Sequence, residues 1–109
     1  MKSIHEQITN ENLATGTNTL SSTPVLPARI QEIKFITYSY TGTVTNVRFE
    51  IKAAGKTLFK TNSNPVSGQI EMLTTDIFLS QNEKIDLVIT NATATDDATL
   101  IIHGVELVA

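Results

Sequence analysis

Strict alternation of apolar and polar residues marks the clearest element of this chain, a stretch over residues 47–53. Its charged residues share one phase, and its apolar residues share the other: Val47, Phe49, Ile51 and Ala53. A period of two residues places these sets on opposite faces of a half-buried β-strand. The strand runs into Ala54-Gly55, where glycine can take the positive φ of a tight turn. The pattern therefore predicts a β-hairpin over about residues 47–60.

Two further strands are predicted in the second half of the chain. In residues 84–91 alternate positions are apolar, which indicates a strand with one buried face. The closing stretch 98–108 changes its inward phase at Gly104, with Ile102 before the glycine and Val105 after it. A β-bulge at Gly104 would keep both halves facing the core.

Weaker alternation predicts the remaining strands, at residues 3–9, 29–40, 69–73 and 75–79, of which the last two can form one bent strand. The inward phases of the strands together predict a core that includes Val47, Phe49, Ile51, Ile85, Leu87, Ile89, Leu100, Ile102 and Leu107.

The arrangement of these elements predicts the fold class. No stretch shows a sustained helical period, and turn residues separate the strands at short intervals. Residues 10–28, rich in Thr, Asn and Ser, are expected as a loose strand, a long loop or an N-terminal arm. Seven to nine short strands in 109 residues predict a single all-β domain over residues 1–109, an antiparallel β-sandwich with jelly-roll or Greek-key wiring. A small open barrel is the alternative fold.

Composition favours a folded chain and argues against two classes of partner. Hydrophobic residues make up 40% of the chain and charged residues 17%, a balance that disordered chains do not show. The net charge of −3 lacks the basic field that binds nucleic acid. No stretch approaches the roughly 20 apolar residues of a membrane span, and the first residues lack the apolar core of a signal peptide. We expect an intracellular product that binds neither nucleic acid nor membrane.

Candidate catalytic and metal-binding residues are few and unpatterned. The chain has no Cys, and its two histidines, His5 and His103, fit no metal-ligand spacing. The carboxylates are distributed as on the polar faces of ordinary strands, and Asp96-Asp97 lacks the spaced ligands of a calcium loop. We therefore expect no enzyme activity, no cofactor and no bound metal.

Apolar residues left over on the second faces of strands indicate a contact surface. Tyr38 and Tyr40 lie in phase with Ile36, whereas Phe35 lies in the opposite phase. If Phe35 faces the core, the two tyrosines are exposed and can anchor an interface or stack on sugar rings. The alternative places the tyrosines in the core or at its edge. The residues predicted at the contact are Ile36, Tyr38, Tyr40, Val88 and Ile101.

Two segments resemble strands of jelly-roll domains. Residues 77–91 resemble a strand–turn–strand element of such domains, with Asn82-Glu83 where Gly-Asp is usual. Asn tolerates the left-handed conformation that the turn requires. Residues 100–107 resemble the final strand of such domains. With no Cys or Trp and abundant Thr and Asn, the chain is similar to small virion proteins of tailed bacteriophages, of the head-decoration, head-fibre or tail-tip type.

This resemblance implies a function, a location and a partner. The function would be that of a non-catalytic structural protein that self-assembles or docks on a capsid or tail, located in the virion and made in the host cytoplasm. Its partners would be further copies of itself, with a trimer as the first expectation, or other virion proteins. The alternative function is a carbohydrate-binding module that recognises a surface glycan.

Overall fold

A computed structural model describes residues 1–108, which form eight β-strands and no helix, so this part of the chain holds no helix that could cross a membrane. The strands are β1 (Lys2–Asn10), β2 (Gly16–Ser21), β3 (Arg29–Thr41), β4 (Arg48–Ala53), β5 (Lys56–Lys60), β6 (Glu71–Leu79), β7 (Ile85–Ala92) and β8 (Asp97–Val108). They form two four-stranded antiparallel sheets. The front sheet has the order β1-β8-β3-β6, and the back sheet has the order β2-β7-β4-β5.

The strand order is that of a jelly roll. β1 pairs with β8, β2 with β7, β3 with β6 and β4 with β5, as if one long hairpin had been folded over into two layers. The pairs β3–β8 and β4–β7 then complete the two sheets. The predicted all-β antiparallel sandwich is confirmed, and its wiring is the jelly-roll form rather than the open barrel.

Both sheets contribute to one hydrophobic core. Phe49 of the back sheet packs edge-on against Tyr38 and Tyr40 of the front sheet, with ring centroids 5.2 Å and 6.3 Å apart. Leu107, predicted in the core, is instead 36% exposed. The other residues predicted in the core are buried, namely Val47, Phe49, Ile51, Ile85, Leu87, Ile89, Leu100 and Ile102.

The segment 10–28 is built into the sandwich rather than forming a loose arm. It contains β2, and it buries Leu13, Leu20 and Val25 in the core. Backbone hydrogen bonds of 2.8–3.0 Å join Leu13 to the loop between β7 and β8, and bonds of 2.9–3.0 Å join Val25 to the turn between β6 and β7. Three buried side chains spaced along polar sequence anchor the segment without producing a periodic pattern.

Two turns form at the positions expected from the sequence. Ala54 and Gly55 both have positive φ, 53° and 81°, which is the backbone that a two-residue hairpin turn needs. They connect β4 to β5 and confirm the predicted hairpin. Asn82 has a φ of 68° between β6 and β7, so the asparagine provides the left-handed residue of that turn.

The bulge predicted at Gly104 lies on the neighbouring strand. β8 pairs with β1 in an unbroken register through Gly104. In β3, by contrast, Lys34 is an extra residue between the pairs Ile33–Gly104 and Phe35–His103. The prediction of a bulge in β8 is therefore wrong. Because β8 keeps its phase, Leu107 points outward from the core.

Gly104 has a steric role opposite the bulge. A Cβ atom at this position would lie 2.1 Å from the carbonyl oxygen of Glu32 and 3.1 Å from the Cα atom of Ile33. The backbone of β3 therefore approaches β8 at a distance that only glycine permits.

The bulge also decides which residues of β3 face the core. Beyond Lys34, the buried phase consists of Ile36, Tyr38 and Tyr40, whereas Phe35 lies on the outer surface. The expectation that the two tyrosines are exposed is wrong for this reason, and their alternative position in the core is the observed one.

We expect Gly104→Ala to destabilise the fold more than Gly55→Ala. A Cβ atom at Gly55 would meet no heavy atom within 4 Å, so that variant carries only the cost of a positive φ, about 1–2 kcal/mol. The Gly104 variant must displace the β3 backbone. Urea unfolding measures how much each substitution lowers the free energy of unfolding. An equal or smaller decrease for Gly104→Ala than for Gly55→Ala would contradict this steric role.

Candidate interaction surface

The outer surface of the front sheet, here called the front face, is organised in rows that cross the strands from β1 through β8 and β3 to β6. Residues paired directly in antiparallel strands point to the same side, so each row lies on one surface. The first row consists of Ser3, Val105, Glu32 and Phe78, the second of His5, His103, Phe35 and Thr74, and the third of Gln7, Ile101, Thr37 and Met72.

Three aromatic rings stack across the second row. The ring centroids of His5 and His103 are 4.8 Å apart, and their planes differ by 21°. The centroids of His103 and Phe35 are 4.1 Å apart, and their planes differ by 17°. These rings, called the ring ladder below, come from three adjacent strands. Sequence patterns miss the ladder because it depends on the pairing of the two ends of the chain and on the bulge in β3.

A shallow hollow of about 240 Å³ lies beside the ring ladder on the same face. Among its lining groups, the Thr37 hydroxyl is buried and has no hydrogen-bond partner among the described residues. The front-face residues that line the hollow are Gln7, Thr37, Ser39, Thr99 and Ile101, together with Ile70 from the loop before β6.

Exposed apolar side chains extend the front face along β6. Met72 is 63% exposed and Phe78 is 59% exposed. Phe35, Ile101 and Val105 are half-buried beside them. Such large apolar groups, gathered on one side of a sheet, are typical of a surface that a partner covers.

Three charged groups of the front face lie together on β3 and β6, whereas Asp97 lies apart from them at the start of β8. The Lys34 ammonium is 2.9 Å from a carboxylate oxygen of Glu32, and this hydrogen bond lowers the pKa of Glu32. A hydrogen bond between Glu32 and Asp76 raises the pKa of Asp76, and the charge of Glu32 adds to the effect. The three groups therefore partly neutralise one another.

Burial keeps His103 neutral at pH 7. It lowers the pKa of His103 from the ordinary value of 6.5, and the nearby His5 lowers it further because two positive charges would repel. The centre of the ring ladder is therefore an apolar, uncharged surface at neutral pH.

The outer surface of the back sheet, here called the back face, is polar. Val88 on β7 lies beside Thr19 on β2 and Glu50 on β4. Glu50 accepts a hydrogen bond from the Thr57 hydroxyl, which lowers the pKa of Glu50. Other strand residues on this face are Arg48, Lys52, Asp86 and Thr90. Val88 therefore lies among polar and charged neighbours on β2 and β4. The exposed apolar residues of this sheet, Leu58 and Phe59, lie on its edge strand β5.

The five residues predicted at one contact lie in three different places. Ile36, Tyr38 and Tyr40 are buried in the core, so they cannot form an exposed platform for a protein or a sugar ring. Ile101 lies on the front face and Val88 on the back face. The sandwich separates these two surfaces, and only Ile101 belongs to the apolar one.

Tyr40 connects two loops at one end of the sandwich. Its hydroxyl donates a hydrogen bond of 2.6 Å to Asp96 and accepts one of 3.2 Å from the backbone N–H of Thr93. Asp96 also accepts a bond of 2.9 Å from the Thr43 N–H. Burial raises the pKa of Tyr40, and the bond to Asp96 is the second cause. Asp96 thus has a structural role, and the described residues contain no group of three acidic or histidine side chains that could hold a metal.

No family model and no curated protein matches this chain. Among solved structures, the crystal structure of FlhE matches with a TM-score of 0.52 and 11% sequence identity, over 95% of this chain and 98% of that chain. At this identity the likeness shows the fold alone, but it extends over nearly the full length of both proteins.

The predicted phage role is corrected by this comparison. FlhE is not a phage virion component, and the comparisons provide no support for a virion relative. The predicted location in a virion and docking on a capsid or tail are wrong on the same ground. Residues 77–91 and 100–107 resemble strands of jelly-roll domains, and that fold hosts many functions.

We expect His103 to reduce the stability of the fold as the pH falls below 6.5. The unfolded chain takes up a proton there that the folded chain resists, so the free energy of unfolding decreases. His103→Phe keeps a ring in the ladder and removes this contribution. Urea unfolding at about pH 7.5 and about pH 5 should show a smaller decrease for the variant than for the wild type. An equal decrease in both proteins would contradict the assignment.

Proposed function

We propose that this protein is a non-catalytic interaction module that forms a homodimer through its front face. The observation that carries the proposal is the contrast between the two outer surfaces. The back face has the charged side chains of a solvated sheet, whereas the front face has aromatic and aliphatic side chains at its centre and along β6. One-sided apolar exposure on an antiparallel sandwich is explained by a partner on that side.

The front face is large enough for a dimer contact. Four strands spaced about 4.8 Å apart, with roughly 30 Å of shared length, present a flat area of about 600 Å². The protruding side chains add further accessible surface to this area. Standard stable interfaces bury about 800 Å² per partner. A contact that uses the complete front face therefore reaches the size that a specific dimer needs.

Charge supports a second copy as the partner. A strongly charged surface repels its own copy, but Phe35, Ile101 and the neutral His103 carry no charge at neutral pH. The three ionised groups on β3 and β6 include both signs, Lys34 against Glu32 and Asp76. The trimer expectation rests only on the analogy with virion proteins, whereas a face that meets its own copy forms a twofold dimer most simply.

The non-catalytic part of the proposal is supported by the placement of the reactive side chains. The two imidazoles stack face to face on an open sheet surface. The Asp96 carboxylate already accepts hydrogen bonds from the Tyr40 hydroxyl and the Thr43 N–H. Acid–base catalysis needs such groups to converge on one substrate position.

Ile101→Glu and Val88→Glu test the proposal as a matched pair. Both residues are half-buried aliphatic side chains on inner strands of a sheet, but they lie on opposite outer faces. We expect Ile101→Glu to weaken dimerisation by at least about tenfold, because burying an unpaired carboxylate costs more than the roughly 1.4 kcal/mol of a tenfold change. Val88→Glu should retain the wild-type association.

Light scattering over a concentration series gives the mass of each protein, and circular dichroism checks that both variants keep their β structure. A wild type that stays monomeric at high concentration would refute the proposed dimer. Equal effects of the two substitutions would refute the assignment of the front face.

A further inference from the structure

The ring ladder and the hollow lie side by side on the front face. The ladder occupies the second row, and the hollow begins at the third row with Gln7, Ile101 and Thr37. Successive rows on one face of a strand are separated by two residues, or about 7 Å. The ring ladder and the hollow therefore adjoin each other along the strands.

A twofold axis between the ring ladder and the hollow would bring the ladder of each copy against the hollow of the other. In such an isologous contact, a feature of one subunit meets a different feature of the other, and the reverse contact follows by symmetry. The buried Thr37 hydroxyl lacks a hydrogen-bond partner within its own described chain, and it lines the hollow. An imidazole nitrogen entering from the ladder of a second copy has the chemistry to pair with it.

We propose that the front-face dimer seats the ring ladder of each copy in the hollow of the other, and that protonation of the stacked histidine pair dissociates this dimer. The inference rests on the proposed dimer and adds its register and its regulation. A neutral imidazole stacked on Phe35 is a suitable apolar surface for the hollow. An imidazolium carries its charge into a contact with Ile101 and Ile70, where water is excluded.

The groups that surround the histidines do not neutralise that charge. His5 on β1 opposes the protonation of His103 on β8 and lowers the pKa of His103 further than burial alone. On β3, Lys34 is itself positive and already engages Glu32. On β6, Asp76 shares a hydrogen bond with Glu32 that raises the pKa of Asp76, so acid removes its negative charge more readily. Each of these groups makes the front face more positive, or leaves it unchanged, as the pH falls.

Symmetry doubles the effect of each protonation. A twofold dimer contains two ladders, so acid places at least two imidazolium groups in the contact. We expect the dimer dissociation constant to rise at least about tenfold between about pH 7.5 and about pH 5.5.

Sedimentation velocity over a concentration series at the two pH values tests the inference. The proteins compared are the wild type and the double variant His5→Phe/His103→Phe, which keeps three stacked rings and has no titrating nitrogen in the ladder. The wild type should dissociate in acid, and the double variant should remain dimeric at both values. A wild-type dimer equally strong at both pH values, or a double variant that weakens by the same factor, would overturn the histidine mechanism.

The outcomes separate this inference from the dimer itself. A wild type that is monomeric at about pH 7.5 refutes the proposed function. A dimer whose dissociation constant does not change between the two pH values refutes only the regulation by histidine protonation. Should the double variant fail to fold, nuclear magnetic resonance titration of the wild-type histidines provides the same test. By linkage, the pKa values of the imidazoles must be lower at high protein concentration than at low concentration. Values that do not change with concentration, in a protein that dimerises over that range, would overturn the mechanism.

Discussion

The close approach of β3 to Gly104 is the constraint on which the arrangement of the front sheet depends. One extra residue, Lys34, is accommodated in β3 between two regular stretches of pairing with β8. The backbone of β3 comes so near that a Cβ atom at position 104 would overlap the Glu32 carbonyl. A glycine on the straight strand therefore allows a bulge on its neighbour, and side chains beyond the bulge change sides.

That change of side determines both the core and the candidate interaction surface. On the core side of the front sheet, Tyr38 and Tyr40 pack against Phe49 of the back sheet. The Tyr40 hydroxyl also donates a hydrogen bond to Asp96 in the loop between β7 and β8. Outward, Phe35 is brought beside His103 and completes the ring ladder. One backbone irregularity thus gives the core its large aromatic residues and leaves an aromatic row on the surface, where the back sheet has charges instead.

The sequence predicts the elements of this fold better than it predicts their faces. β4 has one apolar and one charged phase, so alternation identifies its buried side, and the apolar phase of Ile85, Leu87 and Ile89 does the same for β7. β3 and β8 have apolar residues in both phases because their outer side is the front face, and alternation then cannot tell core from surface. The apolar residues after Gly104 consequently resembled a phase change in β8, whereas the register shift lies in β3. The ring ladder depends on pairing between the two ends of the chain, which no local pattern reveals. The fold itself, shared with FlhE over nearly the whole chain, supplies no function at 11% identity.

Nuclear Overhauser contacts between aromatic rings test directly whether the bulge places β3 as described. With ring protons of the phenylalanines, tyrosines and histidines assigned, cross-peaks should join Phe35 to His103 on the front face, and Tyr38 to Phe49 in the core. A β3 without the bulge would reverse these neighbours. Cross-peaks from Tyr38 to His103, together with contacts from Phe35 to Phe49, would contradict the account of both the core and the front face.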